Sequence, residues 1–196
     1  MADPSVNIRA IRQKVGLVFQ YPEAQLFERL VGDDVAFGPF KMGLPLDEVR
    51  ERVRWAMDMV GLPFEKFKDR FTFSLSGGEM RKAAIAGVLA LRPQVLILDE
   101  STSGVDPRGR KELLGYIHRW HKEEGLTIVF ISTNMEDLAS IVDRVYVLDD
   151  GRTVLEGRTG EVFSKPDLLR TYGLGVPQVT EVMGLLRQRG LPVDAE

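Results

Sequence analysis

Cysteine is absent from the 196-residue sequence, and this absence excludes several kinds of chemistry at once. The chain can form no disulfide, no zinc ribbon and no thiol nucleophile. Long apolar runs are lacking as well, because the longest nearly apolar stretch, Ala83 to Leu91, is far shorter than the roughly 18 residues of a membrane-spanning helix. The first residues, MADPSVNIRAIRQK, lack the apolar centre of a signal peptide. We expect a cytoplasmic protein that reaches a membrane only by binding another protein.

An excess of basic residues is also missing. The formal net charge is -3, with 28% charged and 44% hydrophobic residues, which is ordinary for a soluble globular protein. Proteins that bind nucleic acid usually carry an excess of basic residues, so we expect no nucleic-acid partner. The length fits one compact domain with a sizeable core.

The order of apolar segments predicts an α/β protein with a parallel sheet, because buried strands alternate with amphipathic helices. The predicted strands are Val15–Phe19, Val95–Leu98 and Thr127–Ile131, and the predicted helices are Asp47–Val60, Ser76–Leu91 and one from Pro107 to Gly125. Asp150-Gly151 predicts a β-hairpin between Arg144–Leu148 and Arg152–Glu156. Short helices are expected after Gly157.

The segment LSGGE, Leu75 to Glu79, predicts a helix N-terminus that can bind an anion. Ser76 and Glu79 have the S-x-x-E spacing of a capping box. Gly77 and Gly78 leave the backbone N–H groups of the first turn uncovered, and such groups attract phosphate. A well-capped structural helix explains the segment equally well when it is considered alone.

The segment VLILDE, Val95 to Glu100, brings two adjacent carboxylates to the C-terminal end of a buried strand. Ligands of α/β sheets bind at this edge. Asp99 is suited to Mg²⁺, directly or through water, and Glu100 to orienting or deprotonating an attacking water. By itself the segment is equally consistent with a solvated acidic turn.

Taken together, these segments resemble the nucleotide-binding subunits of ABC-type ATPases. Four elements stand in that family's order, namely the Q-loop at Gln20, the signature at Leu75–Glu79, Walker B at Asp99–Glu100 and the D-loop at Ser101–Asp106. The match runs in register from about residue 11 to about residue 191. The resemblance implies a P-loop-NTPase-like parallel sheet with a helical signature subdomain at about residues 40–92, the N-terminal part of the fold being missing.

The resemblance implies roles for the matched residues, with ATP and Mg²⁺ as cofactors. Gln20 would sense the γ-phosphate and Mg²⁺, Asp99 would hold the metal, and Glu100 would act on the attacking water. Leu75, Ser76, Gly77, Gly78 and Glu79 would contact ATP held by the second subunit of a head-to-tail dimer. Asp106 would communicate across that dimer and can also cap a helix that begins at Pro107.

Two elements of the family's pattern are missing. The phosphate loop G-x-x-x-x-G-K-[ST] is absent, since no Gly-Lys-Ser or Gly-Lys-Thr occurs in the sequence. Thr133 stands at the place of the family's switch histidine, with Asn134 at that of its aspartate, and Ser101 replaces a proline. We therefore expect this chain alone to be inactive as an ATPase. In the family, the strand before the phosphate loop lies beside the one at Thr127–Ile131, so an open apolar sheet face is expected.

Three further segments are similar to the ATPase subunits of energy-coupling-factor importers, which power uptake of vitamins or of cobalt and nickel ions. They are VGLVFQYPEAQLF, DDVAFGP at Asp33–Pro39, and the tail GLGVPQVTEVMGLLRQRGL. The similarity implies a peripheral protein on the inner face of the cell membrane, with a second ATPase subunit and a transmembrane subunit as partners. The transmembrane subunit would dock on Tyr21–Met42 through the exposed aromatics Tyr21, Phe27 and Phe37. The alternative, equally consistent with the sequence, is that these three are ordinary core residues.

The resemblance divides the chain into a truncated ATPase domain at residues 1–157 and a C-terminal helical extension at residues 158–196. One alternative function is a non-catalytic module that lends its LSGGE signature to a complete partner. A second is an ABC ATPase of chromosome maintenance or DNA repair. Such proteins carry long coiled-coil insertions between Q-loop and signature, and the interval from Gln20 to Leu75 has no sustained heptads.

Overall fold

The computed structural model describes residues 7–192, apart from the side chains of Arg9 and Glu23. The chain forms two compact units, one ending at Ile131 and the other beginning at Ser132. The expected division into an ATPase domain and a helical extension at residue 157 stays a prediction. Residues 1–6 of the expected ATPase domain and residues 193–196 of the expected extension lie outside the described part of the chain.

The first unit alternates helices and strands, which confirms the predicted α/β class. Its elements are α1 (Ile8–Lys14), β1 (Val15–Val18), α2 (Val31–Lys41), α3 (Leu46–Met59), α4 (Phe64–Phe67), α5 (Gly77–Leu89), β2 (Val95–Asp99), α6 (Pro107–Lys122) and β3 (Thr127–Ile131). Short 3-10 turns lie at Pro22–Gln25 and Thr72–Ser74. The third predicted strand has its expected bounds, and the first ends one residue early, at Val18.

The three strands form a parallel sheet in the order β1-β2-β3, with Leu17 opposite Ile97 and Ile97 opposite Val129. Alternate residues point to opposite faces of a strand. On one face Val18, Leu96 and Leu98 are fully buried. Helix α5 closes on this face at Gly16, where an added Cβ would lie 2.5 Å from the Val88 side chain. Glycine at this position therefore allows the close packing of helix and sheet.

The other face of the sheet is open, as expected. Its side chains Leu17, Val129 and Ile131 are 38%, 44% and 47% exposed. Within residues 7–192, β3 pairs with β2 only, so its second edge has no strand beside it. Apolar sheet faces are normally covered in α/β proteins because burial of such side chains stabilises the sheet.

Helices α2, α3 and α5 pack on one another and form the helical layer of the first unit. Val35, Met57 and Ile85 are buried at their contacts. Helix α2 was not predicted, since Gly32, Gly38 and Pro39 all lie within it and glycine and proline disfavour helix interiors. Its packing on the two neighbours outweighs this local preference.

The second unit has its own small core. Its elements are α7 (Met135–Ile141), β4 (Arg144–Asp149), β5 (Arg152–Arg158), α8 (Thr159–Phe163), α9 (Pro166–Thr171) and α10 (Gln178–Gln188). The predicted hairpin is present, and positive φ angles at Asp150 (44°) and Gly151 (72°) form its turn. Val147, Phe163 and Leu169 are buried in the core.

Within the described range of residues, no helix is both long enough and apolar enough to cross a bilayer.

Candidate functional site

The N-terminus of α5 is capped by its own sequence. The hydroxyl oxygen of Ser76 accepts from the backbone N–H of Glu79 at 3.3 Å. The Glu79 carboxylate accepts in return from the Ser76 backbone N–H at 2.8 Å and from its hydroxyl at 2.9 Å. This confirms the capping box predicted from the S-x-x-E spacing.

Gly77 and Gly78 form the open part of this helix end. Both are exposed, and an added Cβ at either would meet no heavy atom within 4 Å. The backbone N–H groups of the first turn are thus approachable from outside. Because these groups and the helix dipole favour negative charge, the end of α5 is suited to a phosphate.

Leu75 and Arg70 also hold the signature segment in place. The Leu75 side chain is buried, so it anchors the segment in the first unit. Arg70 Nη1 lies 3.2 Å from Glu79 Oε1 in an ion pair. The pKa of Glu79 is lowered chiefly by the backbone N–H of Ser76, with smaller contributions from the Ser76 hydroxyl and Arg70, while partial burial acts in the opposite direction. Glu79 therefore stays ionised as a cap.

Three of the predicted site residues lie at, or just beyond, the C-terminal ends of two neighbouring strands. Val18 pairs with Leu98, and Asp99, the last residue of β2, pairs with Ile131 of β3. Gln20 comes two residues after the paired Val18, and Glu100 two residues after Leu98. The structure therefore brings Gln20, Asp99 and Glu100 to the same edge of the sheet, where parallel sheets bind ligands.

Glu100 has an unusual backbone conformation, with φ at +47°. Non-glycine residues in this left-handed region cost on the order of 1–3 kcal/mol and persist only where the surroundings hold them. Here the backbone N–H of Glu100 donates to Ile131 of β3 at 2.9 Å, and that of Ser103 donates to the Glu100 carbonyl at 3.0 Å. Nothing in the sequence indicated this strained position.

Arg81 is a residue that the sequence did not single out. Its Nη1 donates to the carbonyl oxygens of Ser101 and Ser103, both at 2.9 Å. Arg81 lies on α5, soon after the signature, and the two carbonyls belong to the loop after Glu100. A single side chain thus connects the two predicted halves of the site. The only signal in the sequence was a cation near LSGGE, which says nothing about its partners.

The predicted helix cap at Asp106 is confirmed. Its carboxylate accepts from the backbone N–H groups of Arg108 and Gly109 at 3.0 and 3.1 Å. Thr133, at the switch position, is exposed and belongs to the second unit. Asn134 beside it caps α7, since its side chain accepts from the Asp137 N–H at 3.1 Å. This capping role was not predicted.

The aromatics after Gln20 lie on the surface. Tyr21, Phe27 and Phe37 are between 38% and 64% exposed, so the alternative that they are core residues is wrong. Phe27 and Phe37 pack edge to face, with ring centroids 4.7 Å apart. The buried Asp34 holds the loop that carries Phe27, because its Oδ2 accepts from the N–H groups of Phe27 and Glu28, each at 2.8 Å. The role of Asp34 as a buried acceptor was not predicted from the sequence either.

The described residues do not supply a complete set of side-chain ligands for a divalent metal. Within the part of the chain that the structure describes, no group of three or more His, Cys, Asp or Glu side chains converges on one point. Mg²⁺ binds through oxygen and often uses one or two carboxylates together with substrate phosphates. Asp99 and the Gln20 amide oxygen, on one sheet edge, fit a metal that arrives with a nucleotide.

The family model of ABC transporters matches residues 2–103 of this chain. The chain is 49% identical, over all 196 residues and 69% of the relative's length, to the energy-coupling factor transporter ATP-binding protein EcfA2 of Clostridium perfringens. It is 47% identical to the protein of that name from Caldanaerobacter subterraneus subsp. tengcongensis, over 98% of this chain and 67% of the relative. The chain thus spans about two thirds of the length of these relatives.

Two solved structures share the fold. The structure of cbiO1 from Clostridium perfringens, described as part of the ABC transporter complex cbiONQ, superimposes with a TM-score of 0.75 at 40% identity, over 90% of this chain and 70% of that one. The ATP-binding cassette MJ0796, in a dimeric post-hydrolysis state bound to ADP and Pi, gives a TM-score of 0.67 at 25% identity, over 81% and 68% of the two chains.

Proposed function

We propose that this chain couples ATP binding and hydrolysis to solute uptake through a membrane partner. The chain belongs to the ABC transporter family and is homologous to energy-coupling factor ATPase subunits. Hydrolysis of ATP is the activity of the family.

The observation that carries the proposal is the open, capped end of α5. Ser76 and Glu79 cap each other, while Gly77 and Gly78 leave the first-turn N–H groups free of side-chain cover. In a head-to-tail dimer this end would contact ATP held by the second subunit, through the backbone from Leu75 to Glu79. Asp106 would contribute at the same dimer interface.

The edge of the sheet supplies the second set of groups. Asp99 and Gln20 would hold Mg²⁺, which would neutralise phosphate charge when it binds with ATP. Glu100 would orient or deprotonate the attacking water, since in-line phosphoryl transfer needs a positioned nucleophile. The N–H cradle and lysine of a phosphate loop must come from elsewhere, because the sequence contains neither Gly-Lys-Ser nor Gly-Lys-Thr.

The exposed aromatic segment is proposed as the docking surface for the transmembrane subunit. Tyr21, Phe27, Phe37 and Phe40 are exposed within Tyr21–Met42, directly after Gln20. Exposed aromatic clusters favour protein interfaces because they bury large apolar areas at low entropic cost. Docking there would hold the chain at the inner face of the cell membrane. We propose no nucleic-acid partner, because the sequence has no basic excess.

The experiment is Mg-ATP hydrolysis by a mixture of this chain and a complete ABC ATPase subunit. We expect the chain to stimulate hydrolysis and Gly77→Leu to reduce the stimulation by about tenfold or more, because the new side chain covers the N–H groups. No heavy atom within 4 Å opposes a Cβ at Gly77, so the variant should fold. Gly115→Leu, on α6, has equal space and should leave the activity unchanged.

The outcome that contradicts the proposal is equal activity of the Gly77→Leu and Gly115→Leu variants. A mixture in which the wild-type chain gives no stimulation contradicts it as well. Circular dichroism of each variant confirms that it is folded.

A second candidate function is a non-catalytic module that lends its signature to a complete partner. The missing phosphate loop and Thr133 at the switch position favour it, since two main phosphate contacts are then absent from this chain. Glu100→Gln separates the two functions. Loss of activity in the mixture means that this chain's own carboxylate takes part in hydrolysis, whereas unchanged activity, with Gly77→Leu still inactive, indicates the lending module.

A further inference from the structure

We infer that Arg81 links the signature of this chain to the loop that follows its own Glu100, so that ATP bound against the signature changes the position of that loop. Arg81 is a positioning residue, because it acts through the carbonyls of Ser101 and Ser103. This inference rests on the proposed function, in which the signature contacts ATP of the partner and Glu100 serves a different composite site.

The first step is that Arg81 moves with the signature. It lies in the second turn of α5, whose first turn is formed by Gly77–Glu79. The helix is anchored by the buried run Ala83–Ala86, which follows Arg81 directly. Because a helix is stiff over this length, contact at its N-terminus shifts the backbone of Arg81 with it.

The second step concerns the loop from Glu100 to Asp106, here called the β2–α6 loop. Arg81 holds it at Ser101 and Ser103, both at 2.9 Å. On the other side the Glu100 N–H is bound to the Ile131 carbonyl of β3. Ser101 is fully buried, and no protein atom bonds its hydroxyl. A shift of Arg81 relative to β3 must therefore be taken up between Glu100 and Ser103.

The third step is that the left-handed backbone of Glu100 makes this loop responsive. A residue at φ +47° stays there only while its surroundings hold it. Arg81 supplies two of the contacts that hold the loop, and both of them connect the loop to the signature helix. Loss or displacement of these bonds lets Glu100 relax towards ordinary backbone angles, away from its position at the sheet edge.

The chemistry of arginine suits this role. One guanidinium nitrogen carries two hydrogens and donates one to each carbonyl, while the positive charge strengthens both bonds. Lysine keeps the charge on a shorter, rounder head group, so it should preserve part of the link. Glutamine keeps an NH₂ group but loses the charge and the reach.

The test is amide hydrogen exchange of the 196-residue chain mixed with a complete ABC ATPase subunit, with and without a non-hydrolysable ATP analogue. In the wild-type chain we expect the nucleotide to slow exchange at Ser76–Glu79 and, by about tenfold, at residues 101–104. A slowing of about this size is expected when the bound nucleotide holds the helix end, and with it the two existing Arg81 bonds, so that the loop opens less often. In Arg81→Gln we expect the slowing at Ser76–Glu79 alone, and in Arg81→Lys an intermediate effect at residues 101–104.

The matched control is Arg54→Gln, which breaks a 3.0 Å ion pair with Glu65 in the same unit and should behave as the wild type. Equal slowing at residues 101–104 in Arg81→Gln and wild type would overturn the inference. Loss of the slowing at Ser76–Glu79 as well would mean that Arg81 supports only the signature, which also overturns it. If the wild-type chain shows no slowing at Ser76–Glu79, the proposed function itself fails, and the inference with it.

Discussion

Replacement of Asp34 by alanine is expected to destabilise the docking segment. Asp34 lies in the first turn of α2 and is buried, with 8% of its surface exposed. Its Oδ2 accepts from the N–H groups of Phe27 and Glu28, at 2.8 Å each. These bonds fix the loop that carries the exposed Phe27, and Asp34→Ala removes the acceptor that the two N–H groups share.

The expected loss follows from two opposing effects. A hydrogen bond to a charged group contributes about 1.5–3 kcal/mol, and two such bonds are lost. The variant also removes the cost of burying a carboxylate, and water can reach the exposed part of the loop. We expect a net decrease of about 2 kcal/mol in the free energy of unfolding.

The measurement is urea unfolding of the variant and of Asp33→Ala. Asp33 precedes Asp34 in the same helical turn but is exposed, so its loss removes only an interaction with the helix dipole, about 0.3–1 kcal/mol. With a denaturant dependence of about 1–3 kcal/mol per M, the midpoint of Asp34→Ala should fall by about 1 M. A fall no larger than that of Asp33→Ala would refute the reasoning.

Asp34 also predicts a pH dependence. Burial raises the pKa of its carboxyl above the ordinary value, against the two backbone N–H groups, which lower it. The folded chain therefore keeps this proton to higher pH than the unfolded chain does. The stability that protonation of Asp34 contributes is complete below the pKa of the unfolded chain, and it is lost as the pH rises through the pKa of the folded chain. Asp34→Asn should flatten the curve of unfolding free energy in this interval, and an unchanged slope would contradict the assignment.

Two further predictions concern α5 and α6. Ser76→Ala should lower the free energy of unfolding by about 1 kcal/mol through loss of the N-cap, as measured by thermal denaturation, and an unchanged melting temperature would exclude the cap. Burial and then the Glu112 carboxylate raise the pKa of Tyr116 to about 12. Ultraviolet titration of the phenolate should show this value in the wild type and a lower one in Glu112→Gln. The contribution of Tyr116 to stability should decrease as the pH rises from its ordinary pKa to about 12.

The features that were predicted correctly depend on neighbours in the sequence. The capping box needs only Ser76 and Glu79, three positions apart, and the cap of α6 needs only Asp106 before Pro107. The turn at Asp150-Gly151 follows from two residues that tolerate positive φ. Each of these signals acts within one turn of backbone, so it is readable before the fold is known.

Helix α2 shows where local signals mislead. Gly32, Gly38 and Pro39 within Val31–Lys41 disfavour a helix, yet the helix forms because Val31 and Val35 are buried against neighbouring helices. Burial of the two valines contributes about 3–6 kcal/mol together, which is of the size needed to offset two glycines at about 1 kcal/mol each and one proline at about 3 kcal/mol. Such burial depends on partners that are distant along the chain.

The order of the three parallel strands, the caps of α5 and α6, the signature and the acidic strand end were all readable from the sequence, and through them the family. The contacts of Arg81 with the carbonyls of Ser101 and Ser103, and of Asp34 with the N–H groups of Phe27 and Glu28, became visible only in the folded chain. The physical reason is that every residue has a carbonyl and nearly every residue an N–H, so a side chain that binds the backbone leaves no signature in its partner. The fold alone selects which backbone group it meets.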